Sequence, residues 1–146
     1  MENDSTIELL LADKGSQTWS VAPTATVFEA IKLMAEKNVG ALLVMEGSKL
    51  LGVISERDYT RKVILKGKSS RETPVADILS KDPVVISPHD KVLDGMRLMT
   101  QKRVRHLPVV EEGKVMGVVS IGDLVNWVIS TQSATIDQLQ KYIGLT

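Results

Sequence analysis

VGALLVMEGSKLLGVISERD (residues 39–58) and VRHLPVVEEGKVMGVVSIGD (residues 104–123) are two versions of one segment, set 65 positions apart. In each, an apolar run gives way to a short polar turn, Glu46-Gly47-Ser48-Lys49 or Glu111-Glu112-Gly113-Lys114, and a second apolar run follows. Two strand-length apolar runs around a glycine-containing turn predict a β-hairpin. Each hairpin then ends in Gly-x-x-Ser-x-x-Asp: Gly52, Ser55 and Asp58 in the first, Gly117, Ser120 and Asp123 in the second. Working outward, the same offset aligns residues 23–59 with 88–124 without a gap, and 14 of the 37 pairs are identical. Chance does not give that, so the chain is an internal duplication.

Each copy reads as a βαββα-like unit. Residues 18–21 and 84–86 are short extended segments leading to Pro23 and Pro88, and the residue before a proline is held out of the helical region. Residues 26–37 place Val27, Ile31 and Met34 on one helical face, and residues 91–102 repeat this with Val92, Met96 and Met99. Strands are predicted over 41–45 and 50–54, and over 107–110 and 115–119. A second helix opens at Ser55 and at Ser120; the first runs to about Leu65 and stops at Gly67, before a polar linker over 68–73. Residues 75–79 predict a short helix leading into the second copy, with 6–11 as its looser counterpart before the first. Residues 124–129 continue the last helix, and 135–143 predict a further helical stretch stopped by Gly144. The expected boundaries are 6–67 for the first copy, 74–130 for the second, and 131–146 for a helical extension packing on the pair. A three-stranded sheet with helices on one face is thin alone, so two copies are expected to pack together with pseudo-two-fold symmetry. The fold class is α+β.

Composition narrows the function. A chain of 146 residues is long enough to bury roughly 68% of its extended surface as one domain. It has no cysteine, which excludes disulfides and thiolate metal sites. Eighteen basic and eighteen acidic residues leave no net charge, and aromatic residues are few, which argues against a general grip on nucleic acid. Residues 1–11 lack the basic start and apolar length of a signal peptide. The longest apolar runs fall far short of the roughly 20 residues a membrane span needs. The cytoplasm is the expected location.

The doubled Ser-x-x-Asp has two readings. As structure, it is close to a capping box, with the serine at the N-cap and the acid three residues on. As a site, the helix start suits a phosphate, and an ionised aspartate can accept both hydroxyls of a ribose diol. The glycine lets another group approach the strand closely. No HExxH, CxxC, Gly-x-Ser-x-Gly, P-loop or Gly-x-Gly-x-x-Gly pattern is present. Of the two histidines, His89 reads as an exposed turn residue, and His106 has no second histidine or cysteine nearby. No enzyme is expected.

The doubled signature, the entry prolines and the His106-Leu-Pro-Val-Val110 strand resemble the CBS-domain pair, the cystathionine beta-synthase type domains of the Bateman module. The resemblance covers about residues 6–130. It implies a regulatory sensor that binds an adenosine-containing nucleotide in two inter-repeat clefts, AMP first, with NAD, ATP or S-adenosylmethionine as alternatives. It also implies a homodimer, with Val27, Ile31, Val92 and Met96 as candidate contact residues, and a separate effector protein. Carried over, Asp58 and Asp123 match the ribose-binding acids, and Ser55 and Ser120 the hydroxyls near phosphate. One cleft is expected to join Ser120, Asp123, His106 and Val119 to Thr18, Trp19, Val21, Gly40, Ala41 and Leu42. The other joins Ser55, Asp58 and Ile54 to Val84, Ile86 and the backbone near Arg105. Trp19 stacks on the base or belongs to the core. Because Ala41 and Gly40 stand where the second copy has His106 and Arg105, the clefts are expected to be unequal. Arg57 and Arg61 would equip the Asp58 cleft for a longer phosphate chain. The alternative is a structural or protein-interaction module with vestigial clefts.

Overall fold

A computed structural model of the chain describes residues 4–131 and residue 143. The described residues form two compact units. The middle unit is Thr18–Pro83; the terminal unit combines the described residues of Met1–Gln17 and Val84–Thr146.

In the middle unit, β1 (Ser20–Val21) pairs in parallel with β2 (Ala41–Glu46), which pairs antiparallel with β3 (Lys49–Ser55). Between β1 and β2 runs α2 (Val27–Lys37), which follows helix α1 (Ile7–Lys14) of the terminal unit in the chain. The Thr26 side chain caps it by accepting from Glu29 N, and Asn38 ends it in the left-handed region at φ 55°. Val27, Ala30 and Met34 face a core with Leu42, Val44, Ile54, Val63, Val75 and Ile78. After β3 comes α3 (Glu56–Tyr59), which widens into a π-helical turn over Thr60–Ile64; Leu65 N donates to Thr60 O, five residues back.

The terminal unit repeats this plan. Here α4 (Val92–Lys102) precedes β5 (His106–Glu111) and β6 (Lys114–Ser120), and α5 (Ile121–Thr131) follows. Arg103 ends α4 at φ 55°, matching Asn38. Ile86 bridges to Val109 in parallel, the counterpart of β1 on β2. Both hairpins slip register at the same place, after Val44 and after Val109, where Leu51 and Met116 stand as the extra residues of a bulge.

Three features depart from the sequence expectations. First, the middle sheet has four strands, not three: β4 (Ser80–Lys81) lines the free edge of β3. Second, each lead-in segment clasps the helix of its own packing unit, which belongs to the other sequence repeat. Residues 73–75 hold the start of α2 through Val27 N to Thr73 O and Val75 N to Ala25 O, both 2.8 Å. Residues 5–7 hold the start of α4 through Val92 N to Ser5 O at 2.9 Å and Ile7 N to Asp90 O at 2.8 Å. The helix that follows, α1 (Ile7–Lys14), buries Ile7, Leu10 and Leu11 against Met96, Leu107, Val119 and Leu124 of the terminal unit. The packing units thus begin at Thr18 and Val84, whereas the sequence divides at 6–67 and 74–130. Third, Val27, Val92 and Met96 are fully buried in the cores of their own units, so they offer no dimer contact; an amphipathic helix must first bury its apolar stripe at home. The helix expected over 135–143, and with it the extension over 131–146, lies outside the described residues except for Thr131 and Ile143.

Candidate functional site

The serine–aspartate pairs sit where each hairpin enters its helix. Strand β3 ends at Ser55, whose Oγ accepts from Asp58 N at 3.2 Å while Asp58 Oδ2 accepts from Ser55 N at 2.9 Å. Ser120 and Asp123 make the same two bonds, at 3.1 and 2.8 Å. Both are reciprocal caps. The first helical N–H of each is also taken: Glu56 N donates to Gly40 O, and Ile121 N to Arg105 O. Two of the donors that a phosphate would use are therefore engaged by the chain itself. Gly40 and Arg105, proposed from sequence as cleft residues, contribute these backbone carbonyls.

Beyond the caps the two acids differ. Asp58 is 8% exposed. Its Oδ2 also accepts from Ser55 Oγ at 3.1 Å, and its Oδ1 accepts from Ser80 Oγ at 3.3 Å and Lys62 Nζ at 3.1 Å. Lys62 is fixed from its other side by Ile78 O at 2.9 Å. Asp123 meets a lysine from a different element, Lys14 at the end of α1, at 2.7 Å, and Lys14 also reaches Val118 O at 2.8 Å. Partial burial would raise the Asp123 carboxyl, but the Lys14 ammonium and the Ser120 N–H outweigh it and hold the group below the ordinary carboxylate value. Asp123 is therefore an anion at neutral pH.

Around Asp123 lies a cleft of about 300 Å³ lined by Leu10, Asp13, Lys14, Asp123, Asn126, Trp127 and Ser130. The indole N–H of Trp127 is buried and has no acceptor among the described residues. Sequence reading missed Lys14, Ser80 and the cleft face of α5. A contact 109 residues apart leaves no local signal, although a lysine closing an apolar helix was visible.

The remaining candidates fall out as follows. In the terminal unit, His106 stands directly opposite Ser120 in the β5–β6 register, so His106, Ser120 and Asp123 come together. Ala41 holds the same place opposite Ser55. Ile54 and Val119 are fully buried, and Leu42 and Ile86 nearly so; their side chains belong to the cores, leaving only backbone for a ligand. Val84 is partly buried against the terminal core, and Val21 against the middle one. Trp19 packs on the middle core with Lys37 Nζ 4.3 Å from its ring centroid, a cation–π contact that favours its structural reading. Thr18 is half-buried at the start of the middle unit. Arg57 and Arg61 are exposed on α3 and the π turn.

The glycines serve the fold. A Cβ on Gly52 would collide with Ser80 O and Leu79 Cδ1, and one on Gly117 would come within 2.9 Å of Leu11 Cδ2. The room attributed from sequence to an approaching ligand is filled by β4 in one unit and by α1 in the other. His89 is exposed as expected, and it bridges Glu111 at 2.6 Å; that hydrogen bond, chiefly, raises its pKa.

A hairpin flanked by helices, made twice and closed each time by a serine–aspartate cap, defines a tandem-repeat α+β module. No cluster of three metal-ligating side chains occurs among the described residues, and no described helix is long and apolar enough to cross a membrane. The family profile described as "CBS domain" matches residues 17–64 and 75–130, and the chain belongs to that family as a tandem pair. It is 42% identical over 134 residues to the mitochondrial CBS domain-containing protein CBSX3 of Arabidopsis thaliana, matching 88% of this chain and 65% of that one. It is 34% identical over 119 residues to the CBS domain-containing protein YhcV of Bacillus subtilis, covering 82% and 84% of the two. Among solved structures, a putative signal-transduction protein with CBS domains from Burkholderia ambifaria superposes with a TM-score of 0.84 at 44% identity, over 90% of this chain and 99% of that one. The relatives carry the names of domain-containing and signal-transduction proteins, in keeping with a regulatory module.

Proposed function

We propose that this chain is a cytoplasmic, non-catalytic sensor that binds an adenosine-containing nucleotide, AMP first, and passes the signal on through a homodimer to an effector protein. The observation that carries this reading is the Asp123 carboxylate, ionised and facing a cleft that also holds an ammonium, an amide and an indole. An ionised aspartate accepts paired hydrogen bonds from a cis-diol, and Lys14 supplies positive charge beside it. A cleft of this size is at the lower end for small-molecule sites, roughly 300–1,000 Å³, and suits a nucleoside better than a dinucleotide. Family membership supports the same class of ligand. Self-assembly is consistent with a hexameric CBS-CP12 protein from bloom-forming cyanobacteria, a structural neighbour at 25% identity. For binding to regulate, the ligand must favour one of two states.

The test is calorimetric titration of nucleotide-stripped protein with AMP, ATP, NAD and S-adenosylmethionine. Saturable micromolar binding of one of them is expected. The absence of heat and of any thermal shift with all four would favour the second reading, an interaction module with closed clefts. The locked state of Asp58 is the observation on that side.

A further inference from the structure

We propose that the two copies of the signature have divided their roles, so that Asp123 reads the ligand, Asp58 is a permanent structural lock, and each chain takes one adenosyl ligand rather than two. The proposal rests on the nucleotide reading of the Asp123 cleft and specifies its stoichiometry.

Both oxygens of Asp58 are engaged, Oδ2 by Ser55 N and Oγ, Oδ1 by Ser80 Oγ and Lys62 Nζ. Four donors fill the acceptor capacity of a carboxylate. A ribose diol would have to displace two of them, one from a residue whose backbone is held by strand pairing and one from a lysine bonded at the same time to a second acceptor. Ser80 belongs to β4, which pairs with β3 at Gly52 and Val53. The lock is thus set in backbone pairing that only a glycine at position 52 permits. Lys62 is tethered at the same time to Ile78 O.

Asp123 is arranged otherwise. Oδ2 accepts from Ser120 N and Lys14 Nζ, and the Ser120 hydroxyl also lies beside the carboxylate; no donor from another element reaches Oδ1 among the described residues. No strand pairs at the outer edge of β6 among those residues; α1 lies there instead, and it brings Lys14 to Asp123 Oδ2 and Val118 O but no second donor of the kind Ser80 supplies to Asp58 Oδ1. The Asp123 side chain is 28% exposed, against 11% for Asp58. Lys14 keeps the acid ionised from one side and leaves its second oxygen to the cleft, which makes it a positioning residue.

The experiment is calorimetry on the full chain with AMP, ATP, NAD and S-adenosylmethionine, comparing wild type with Asp123→Asn, Asp58→Asn and Lys62→Met. The expected result is one ligand per wild-type chain. Asp123→Asn weakens it at least tenfold, whereas Asp58→Asn lowers the Tm by several degrees and leaves the Kd within threefold. Should Asp58→Asn fail to fold, Lys62→Met answers the same question, with one ligand and an unchanged Kd expected. Two ligands per wild-type chain, or loss of binding in Asp58→Asn or Lys62→Met with the fold intact, would overturn the division while leaving the sensor reading standing. No binding of any of the four by wild type would overturn both.

Discussion

At Gly52 and Gly117 one residue type solves two different packing problems. The missing Cβ at Gly52 makes room for the backbone of Ser80, which is pinned by strand pairing, whereas at Gly117 it makes room for the tip of Leu11, a side chain that can rotate. Gly52→Ala is therefore expected to cost about 2–3 kcal/mol and Gly117→Ala about 1 kcal/mol or less, since overpacking against a fixed neighbour is the costlier case. Urea unfolding of the two variants compares them directly; equal losses would contradict the assignment. A second contrast concerns Asp123. Its folded-state pKa is depressed below the ordinary 3.8. Its contribution is therefore present above that value and lost as pH falls through the lowered folded value. Lys14→Met is expected to lower stability near neutral pH and to flatten the acid limb of the stability curve below about pH 4. Urea midpoints measured between pH 6 and 2.5 would show it. His89 has the opposite sign: its raised pKa gives stability below 6.5 that is lost as pH rises through the folded value, and its exposed position makes this small and salt-sensitive.

The elements show how far a sequence carries. The hairpins were legible because apolar runs and turn residues recur at one offset, and the caps because Ser-x-x-Asp is a local motif. Strand β4 was not, since Ser80 and Lys81 carry no apolar alternation; a two-residue edge strand is defined only by its partner. Nor does the apolar face of α1 say which copy it will bury against. For the site, both acids were legible, but which one remains available depends on Ser80, Lys62 and Lys14, whose approach is tertiary. The turns hold a smaller lesson. Gly47 alone has positive φ in the first hairpin, whereas Glu112 and Gly113 both do in the second, at 50° and 77°. Two positive φ values mark a type I′ turn, for which asparagine is far better suited than glutamate at the first position. Glu112→Asn is expected to stabilise by about 0.5–1 kcal/mol, raising the Tm by roughly 2 °C. A thermal melt followed by circular dichroism reads it.

On the scale of the whole molecule, two cores coexist that share no residue. Leu10, 2% exposed on α1, belongs wholly to the terminal one. Leu10→Ala is expected to cost about 2–4 kcal/mol, and hydrogen exchange should place the damage. Protection is expected to fall across α4, β5 and β6 and to persist across β2 and β3, although α1 comes directly before the middle unit in sequence. A loss centred on β2 and β3 would contradict the unit assignment.

The same threading bears on biosynthesis. The segment carrying Ile7, Leu10 and Leu11 is made well before its partners on α4, β5, β6 and α5, with the whole middle unit between them. At ~5–20 residues per second, that greasy helix waits on the order of ten seconds while Thr18–Pro83 is completed ahead of it. A nascent chain of this design is thus committed to leaving α1 uncovered until the distant half of its core is made, and its safe production depends on what shields Leu10 during that interval.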